Sequence, residues 1–393
     1  MFYVGIDIAK RKHDIAIIDE EGDEILSGFH FSNSSAGFEK LLKMLAKLDV
    51  TPTNCRMALE ATGHYWLALF THLSEADFEI CVINPICSDA FRKLSIRKVK
   101  NDTVDAIAIA QFIRFDATEP TALASEQMVA LKRLSRFRGY LVQQVSDCKR
   151  KVIAALDQVF PEYEKLFGDT FGATSKAVLA SCQTPDDTLG ISTKKLTGIV
   201  AKASRGRLGS GAVSRLKEAA TVSFGTRLAQ DTFAFEIRQL IAQIGLIESQ
   251  VAEVEVEIEK VLAELDSPIT TITGIGTVLG ATILSEIGDI SRFSEPSKLV
   301  AYAGLDVSVF ESGEFNATNN HMTKRGSRYL RYAILMAADR ARMYDPELKA
   351  YYSKKMSEGK HHLVAVSAVA RKMCNIIFAV LSENRPFEMR YPS

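Results

Sequence analysis

The stretch that decides the fold is FYVGIDIAKRKHDIAIIDEEGDEILSGFHF, residues 2–31. It contains three runs rich in apolar and β-branched residues, FYVGIDIA, HDIAIIDE and EILSGFHF, and the turn residues EEGD at 20–23 separate the second run from the third. Short runs of this kind, bounded by turn residues, are typical of β-strands. The sequence therefore predicts a meander of three consecutive antiparallel strands.

Strands and helices then alternate along the chain. The pattern predicts a helix over 34–48, the strand CRMALEA at 55–61, a helix over about 64–75 and the strand FEICVINP at 78–85. Such alternation is typical of an α/β layer with parallel strands. With a last helix that begins at Asn101 and Asp102, this order predicts an RNase H-like domain over residues 1–120.

The rest of the chain is predicted to be mainly helical. Residues 126–166 form a long basic amphipathic pattern, and residues 167–227 are rich in Gly, Ser and Thr. From 237 to 265, apolar residues recur at alternate spacings of three and four, which is the heptad pattern of a coiled coil. We therefore expect long coiled-coil helices and a loop-rich insert within 121–266, and a helical third domain over 267–393.

The heptad helix at 237–265 requires a partner for its apolar stripe. That partner is the earlier long helix of the same chain, a second subunit, or both. A stripe of this length left exposed to water would form a large hydrophobic patch. The sequence therefore predicts that the chain is at least dimeric.

Charge is balanced over the whole chain but segregated along it. The 393 residues include 48 Lys plus Arg and 48 Asp plus Glu, which excludes a protein that coats nucleic acid through bulk positive charge. Residues 91–101 nevertheless contain five basic residues and no acidic one. This segment predicts local nucleic-acid contacts at Arg92, Lys93, Arg97, Lys98 and Lys100.

Cysteine spacing and hydropathy predict a cytoplasmic protein. The six cysteines are scattered without a C-x-x-C pair, so we expect neither a zinc site nor a secreted disulfide framework. The N-terminus shows no cleavage-site pattern, and no run approaches the roughly 18 apolar residues of a membrane span. We therefore expect no association with a membrane.

Four carboxylates occur at the ends of predicted elements. Asp7 lies in the first strand, Glu60 ends the fourth strand, and Asp102 and Asp105 are three residues apart on one helix face. Clustered carboxylate oxygens suit Mg²⁺ or Mn²⁺, and two such ions activate phosphodiester cleavage. Each residue also has a simpler interpretation: Asp102 as a helix N-cap, Asp105 as a solvated helix acid and Glu60 as a surface strand end.

Two glycines and four cations in the last third are candidate phosphate contacts. Gly274 and Gly276 precede a helix in ITGIGTVLG, as in a helix-hairpin-helix turn whose backbone N–H groups bind phosphate. Glycines equally serve tight helix packing. The cations lie in TKRGSRYLRY and are Lys324, Arg325, Arg328 and Arg331. They are expected either to hold a phosphate or to line a solvated helix face.

Ser312 lies beside Gly313 in VFESGEF. A serine next to glycine is usually a turn residue, and by residue type alone it is an improbable nucleophile.

A further alternative concerns GIDIAK, which also looks like the first phosphate loop of actin-like ATPases and sugar kinases. Those proteins require a second phosphate loop in a duplicated α/β half, and the sequence shows no such duplication.

Taken in order, the motifs resemble one known family along nearly the whole chain. They are GIDIAK, LEATGHY, INP, KNDTVDA, TGIG, ATILSEIGDISRF, LVAYAGLD, ESG, TKRGSRYLR and EGKH. The chain looks like the DEDD transposases of bacterial insertion sequences, the insertion sequence one-ten family.

This resemblance implies a RuvC-like metal tetrad at Asp7, Glu60, Asp102 and Asp105 and a catalytic serine at Ser312. It also implies DNA recombination guided by a structured bridge RNA that pairs with donor and target DNA in the bacterial cytoplasm. A coiled coil would join two domains and mediate a homodimer, which assembles into a tetramer on DNA. The interval 166–227 is longer than in compact members of the family, and the resemblance assigns it no role.

Two function hypotheses are therefore compared. The leading one is an RNA-guided DNA recombinase in which Ser312 attacks a phosphodiester without ATP. The alternative is a metal-dependent RuvC-like structure-specific nuclease that hydrolyses DNA with water. Both require the tetrad, only the first requires Ser312, and a non-enzymatic RNA-binding scaffold requires neither.

Overall fold

The computed structural model describes residues 1–61, 63–83, 102–115, 119–121, 124–307, 311–312, 315–316 and 322–389. The chain divides into two compact units, Met1–Ala124 and Ser125–Ser393. Each unit has its own buried apolar core. The three-domain division of the sequence stays a prediction.

The first unit is a mixed five-stranded sheet with helices. Its elements are β1 (Phe2–Asp7), β2 (Lys12–Ile18), β3 (Glu24–Ser32), α1 (Ser35–Lys47), β4 (Cys55–Glu60), α2 (Trp66–Glu75), β5 (Ile80–Ile83) and α3 (Asp102–Phe115). The strand order is β3-β2-β1-β4-β5. The pairs β1–β2 and β2–β3 are antiparallel, and β1–β4 and β4–β5 are parallel. The predicted meander and the predicted parallel layer are both confirmed, while the assignment as RNase H-like stays a prediction.

Strand register places α3 on one face of this sheet. In β1, alternate residues point to opposite faces, so Tyr3, Gly5 and Asp7 share one face. A Cβ added at Gly5 would overlap the carbonyl oxygen of Ala106. The backbone of α3 therefore passes directly over Gly5, which brings the beginning of the helix toward the end of β1 that carries Asp7.

The second unit begins with a long helix and returns along a second one. Its elements are α4 (Glu126–Val159), α5 (Ala173–Leu179), α6 (Pro185–Gly190), α7 (Thr193–Ala203), α8 (Ser210–Thr221), α9 (Gln230–Glu264), α10 (Thr277–Ile287), α11 (Pro296–Tyr302), β6 (Glu311–Ser312), β7 (Phe315–Asn316), α12 (Arg328–Tyr344), α13 (Pro346–Ser357) and α14 (His362–Ser382). Short 3₁₀ turns occur at Tyr163–Leu166, Pro268–Thr271 and Ile290–Arg292. The residues between α4 and α9 thus form four short helices with a buried apolar core, so this interval is more helical than the loop-rich insert that we expected.

The apolar stripe of α9 packs against α4 of the same chain. Ile237, Ile244 and Ile258 are fully buried. Arg138 pairs with Glu255 at 2.7 Å and Lys149 with Glu248 at 3.8 Å, so the two helices run antiparallel. The stripe is therefore covered within one chain, and the exposed patch on which the dimer prediction depended is not present in this part of the structure. The dimer itself stays a prediction.

Helix α14 lies in the core of the second unit. Over His362–Ser382 it has the length and mean hydropathy, 1.7, of a helix that could cross a membrane. This corrects the expectation that no segment is apolar enough to do so. Half of that helix window is buried inside the unit, with Val369, Met373 and Ile377 packed in the same apolar cluster as α10 and α12. In this structure α14 is a core helix.

Candidate active site

Asp7 and Glu60 lie at the carboxyl ends of two adjacent parallel strands. The register pairs Ile6 of β1 with Leu59 of β4, so the next residue on each strand is one of the two acids. Asp7 and Glu60 point to the face that α3 covers, because they alternate with Ile6 and Leu59. Glu60 is 8% exposed, which argues against its interpretation as a surface strand end.

The first turn of α3 contributes the other two predicted carboxylates. Asp102 is the first residue of the helix, and Asp105 is 9% exposed. Asp105 precedes Ala106 and Ile109, which are buried against the sheet. The spacing of 102, 105 and 109 keeps these positions on one side of the helix. Asp105 is therefore not a solvated helix acid, and the structure brings it toward the strand ends.

Burial and the proximity of these acids raise the pKa of Asp7. Its pKa increases from the ordinary value of 3.8 to about 6, first because of burial and then because of the negative charges of Asp105, Asp102, Glu60 and Asp14. Burial and like charges both disfavour an ionised carboxyl. Four carboxylates thus act on Asp7 in the first unit, as expected of a site that a cation would neutralise.

One of these acids, Asp14, was missed by the sequence analysis. It lies directly opposite Asp7 in the antiparallel pair of β1 and β2, and it is 5% exposed. The Lys12 ammonium lies 3.4 Å from Asp14 and 3.7 Å from Asp102. The signal that could have identified Asp14 is the register of the meander, since the antiparallel pairing of β1 with β2 places residue 14 across from Asp7.

The carboxylate oxygens of this cluster are the type of ligand that hard divalent cations prefer. All the acids named are carboxylates, the ligands that Mg²⁺ and Mn²⁺ prefer. Among the described residues, however, no three His, Cys, Asp or Glu side chains are close enough together to ligate one ion as they stand. The site therefore has the charge and chemistry for metal binding without a closed ligand shell.

Ser312 lies in a two-stranded hairpin of the second unit. Strand β6 pairs antiparallel with β7, with Ser312 opposite Phe315. Nearer the helices, Val307 forms a bridge with Met322, and the Thr323 N–H donates to the Asp306 carbonyl at 3.0 Å. Among the described residues between α11 and α12, strand pairing thus joins β6, which carries Ser312, to β7, and a bridge joins Val307 to Met322.

The two glycines of the predicted phosphate-binding turn have different surroundings. Gly274 has a φ of +89°, and a Cβ added there would lie 2.5 Å from the carbonyl oxygen of Ala337 in α12. Gly276 is the N-cap of α10, and an added Cβ would meet no atom within 4 Å. The close approach at Gly274 supports the helix-packing alternative for that residue.

The structure describes four of the nine Lys and Arg residues that were predicted to contact nucleic acid. Lys324, Arg325 and Arg328 are exposed, whereas Arg331 is half-buried and donates to the Ala303 carbonyl at 3.3 Å. The other five predicted cations lie outside the described residues: Arg92, Lys93, Arg97, Lys98 and Lys100.

Comparison with known families places these features in context. Residues 4–161 match the DEDD family of IS110-type proteins, described as transposase. Residues 266–353 match a second family, described as transposase of the IS116/IS110/IS902 family. The first match contains the carboxylates of the first unit, and the second contains Ser312.

Individual relatives are similar over almost their full length. The chain is 25% identical to the mini-circle putative transposase for IS117 of Streptomyces coelicolor, over 98% of this chain and 95% of the relative. It is 23% identical to an IS110 protein of the same organism, over 100% and 96% of the two chains. It is 24% identical to the pilin gene-inverting protein of Moraxella bovis, over 99% and 98%.

Proposed function

Since this chain belongs to the IS110/IS116/IS902 family of transposases, we propose that it cuts and rejoins DNA with a serine nucleophile and a metal-binding carboxylate tetrad. The family membership establishes a DNA recombinase. The proposal assigns the nucleophile to Ser312 and the tetrad to Asp7, Glu60, Asp102 and Asp105.

The observation that carries the tetrad is the crowding of acids around Asp7. Glu60 and Asp105 are buried beside the strand ends, and the pKa of Asp7 is raised to about 6 by burial and by neighbouring carboxylates. Uncompensated buried charge is costly and is retained where a ligand or a reaction uses it. Mg²⁺ or Mn²⁺ held by the four carboxylates would neutralise them and stabilise charge on a phosphate.

The proposed covalent step belongs to Ser312. Its oxygen attacks the phosphorus of a DNA phosphodiester and forms a P–O bond to serine, while the P–O3′ bond breaks. The serine hydroxyl loses one proton, and the departing 3′ oxygen gains one. Because the phosphoserine bond stores the energy of the broken link, a 3′-hydroxyl can attack it in reverse and release serine, so ATP is not consumed.

The proposed partners are two DNA sites and a structured bridge RNA. The support is the family membership together with three exposed cations that follow the hairpin in the sequence, Lys324, Arg325 and Arg328, since polyanions bind to such side chains. A homodimer that forms a tetramer on DNA is part of the same proposal.

Cleavage assays with matched variants test the tetrad and the serine. Glu60→Gln removes a tetrad charge and Ser312→Ala removes the hydroxyl, and we expect both to abolish recombination. Ser297→Ala, at an exposed position of α11, is the control and should recombine like the wild type. If Ser312→Ala still cleaved DNA while Glu60→Gln did not, the hydrolytic RuvC-like nuclease would be the correct function.

A further inference from the structure

A buried glutamate organises the junction between α4, α10 and α12. Glu286 is 2% exposed. Arg136 donates to both of its oxygens, at 2.6 Å from Nε and 3.1 Å from Nη2. The Ser327 hydroxyl donates to the second oxygen at 2.8 Å. This carboxylate is therefore fully engaged by its hydrogen-bond donors.

More cations surround Glu286 than it can neutralise. Lys132 of α4 lies near enough to Glu286, to Arg136 and to Arg292 of the turn Ile290–Arg292 for their charges to change its pKa. Burial lowers the pKa of Lys132 below its usual value, Glu286 raises it, and Arg136 and Arg292 lower it again. The neighbouring carboxylate of Asp289 offsets part of the charge of Arg292. The ammonium of Lys132 is thus partly buried among other positive charges.

Aromatic rings hold the guanidinium groups in place. The guanidinium carbons of Arg136 and Arg328 each lie 4.8 Å from the ring centroid of Tyr329. That of Arg292 lies 4.7 Å from the ring of Tyr302, whose hydroxyl donates to the Glu286 carbonyl at 3.3 Å. Such stacking orients guanidinium groups without using their N–H donors, although Arg136 already uses two of its donors for Glu286. Lys132, Arg136, Arg292 and Arg328 are called the cation cluster below.

The cation cluster has an excess of positive charge that calls for an anion. Lys132, Arg136 and Arg292 lie around the two carboxylates Glu286 and Asp289, and Arg328 shares the Tyr329 ring with Arg136. Keeping the half-buried ammonium of Lys132 beside guanidinium groups is unfavourable unless an anion joins them. Stacked guanidinium groups beside an ammonium are suited to phosphate oxygens, which accept several charged hydrogen bonds at once.

We propose that the cation cluster binds a backbone phosphodiester of the DNA strand on which Ser312 acts. The cluster is joined to the serine-bearing segment, because Ser327 ends that segment, caps α12 and bonds to Glu286. A phosphate held there would fix the DNA strand at the point where the serine-bearing segment enters α12. The choice of DNA as the polyanion rests on the proposed function, whereas phosphate binding rests on the cluster itself.

Three substitutions remove the cluster while retaining the buried ion pair. Lys132→Gln, Arg292→Gln and Arg328→Gln are combined, and Arg136 stays on Glu286. Equilibrium binding to duplex DNA is measured over a range of salt concentrations, in the Ser312→Ala background so that no cleavage occurs. A plot of log K against log salt has a negative slope, and each cation–phosphate pair that is removed reduces the magnitude of this slope by about one unit. We expect a slope smaller in magnitude by at least about one unit and binding weaker by about tenfold or more at low salt.

The control removes two Arg and one Lys elsewhere on the second unit. Arg227→Gln, Arg238→Gln and Lys260→Gln change exposed positions and should leave the slope unchanged. An equal fall in slope in both triple variants would show that only net charge matters, and an unchanged slope in the cluster variant would show that the cluster binds no phosphate. Either result overturns the proposal.

A structured RNA probe identifies the polyanion. If the cluster variant bound RNA more weakly and retained its affinity for DNA, the assignment to DNA would be wrong. Thermal melting checks that the triple variant is folded. If it is not, the double variant Arg292→Gln and Arg328→Gln, both at exposed positions, takes its place with the same expected fall in slope. Because binding is measured without Ser312, failure of the serine mechanism would leave this result standing.

Discussion

Asp7 and Asp14 face each other across the antiparallel pair of β1 and β2. Both side chains therefore lie on the sheet face that α3 covers, where Asp105 is also buried. The charge of Asp14 contributes to the raised pKa of Asp7. The carboxylate cluster of the first unit thus has a fifth member, held by Lys12 at 3.4 Å.

Replacing Asp14 should lower the pKa of Asp7. Asp14→Asn removes one of the charges that raise this pKa to about 6, so Asp7 should ionise at lower pH in metal-free protein. Carboxyl-carbon NMR of the metal-free protein measures the titration directly. Asp19→Asn, in the turn that follows β2, is the control. An unchanged Asp7 titration in Asp14→Asn would mean that the two carboxylates do not interact.

Metal-free stability should fall as the pH rises through the range in which Asp7 ionises. The native pKa of Asp7 is about 6 and its ordinary value is 3.8, so the native state holds more protons than the unfolded chain between these values. The unfolding free energy therefore decreases across this window. The decrease should be on the order of 1 kcal/mol, because partial exposure screens the charges.

Thermal melting of the wild type and Asp7→Asn measures this contribution. The variant should lack the decrease, and Mg²⁺ should raise the wild-type melting temperature most above pH 6, where the carboxylates are ionised. Identical pH dependence in the two proteins would contradict the assignment to Asp7.

Gly274 should be required for packing of the second unit. An alanine there combines a φ of +89° with a Cβ 2.5 Å from the Ala337 carbonyl oxygen. Backbone strain and overpacking together should cost about 2–4 kcal/mol of unfolding free energy. Gly276→Ala, which has open space, should cost less than about 1 kcal/mol. Urea titrations compare the two, and equal costs would refute the packing role.

The stripe of α9 should stabilise the single chain. Ile258 is fully buried, whereas Leu246 on the same helix is 62% exposed. Ile258→Ala should lower the unfolding free energy by about 2–4 kcal/mol, and Leu246→Ala by less than about 0.5 kcal/mol. Light scattering run in parallel reports the oligomeric state. If Ile258→Ala converted a dimer into an equally stable monomer, the stripe would be an intersubunit surface instead.

Local sequence patterns were sufficient for the elements that carry the tetrad. Runs of apolar and β-branched residues predicted β1–β3, and the acids at 7, 60, 102 and 105 could be assigned to strand ends and a helix start. Asp14 could not be found in this way, because its position opposite Asp7 depends on strand register. The heptad pattern predicted that α9 packs against a helix, but a heptad does not specify which helix.

Long-range contacts set the limits of sequence analysis in the second unit. The pairing of Arg136 with Glu286 joins residues 150 positions apart, and no local pattern indicates such a pair. The burial of α14 likewise depends on helices that are distant in the sequence, so the local pattern does not show which elements cover it.

The serine mechanism is tested most directly by identifying the protein residue to which DNA becomes covalently attached. The wild type is incubated with a nicked substrate and Mg²⁺, denatured and digested, and peptides are analysed by mass spectrometry. We predict a nucleotide phosphate on the peptide that contains Ser312, and no such adduct in Ser312→Ala or Glu60→Gln. Complete DNA cleavage by the wild type, with free ends and an unmodified Ser312 peptide, would contradict the serine mechanism.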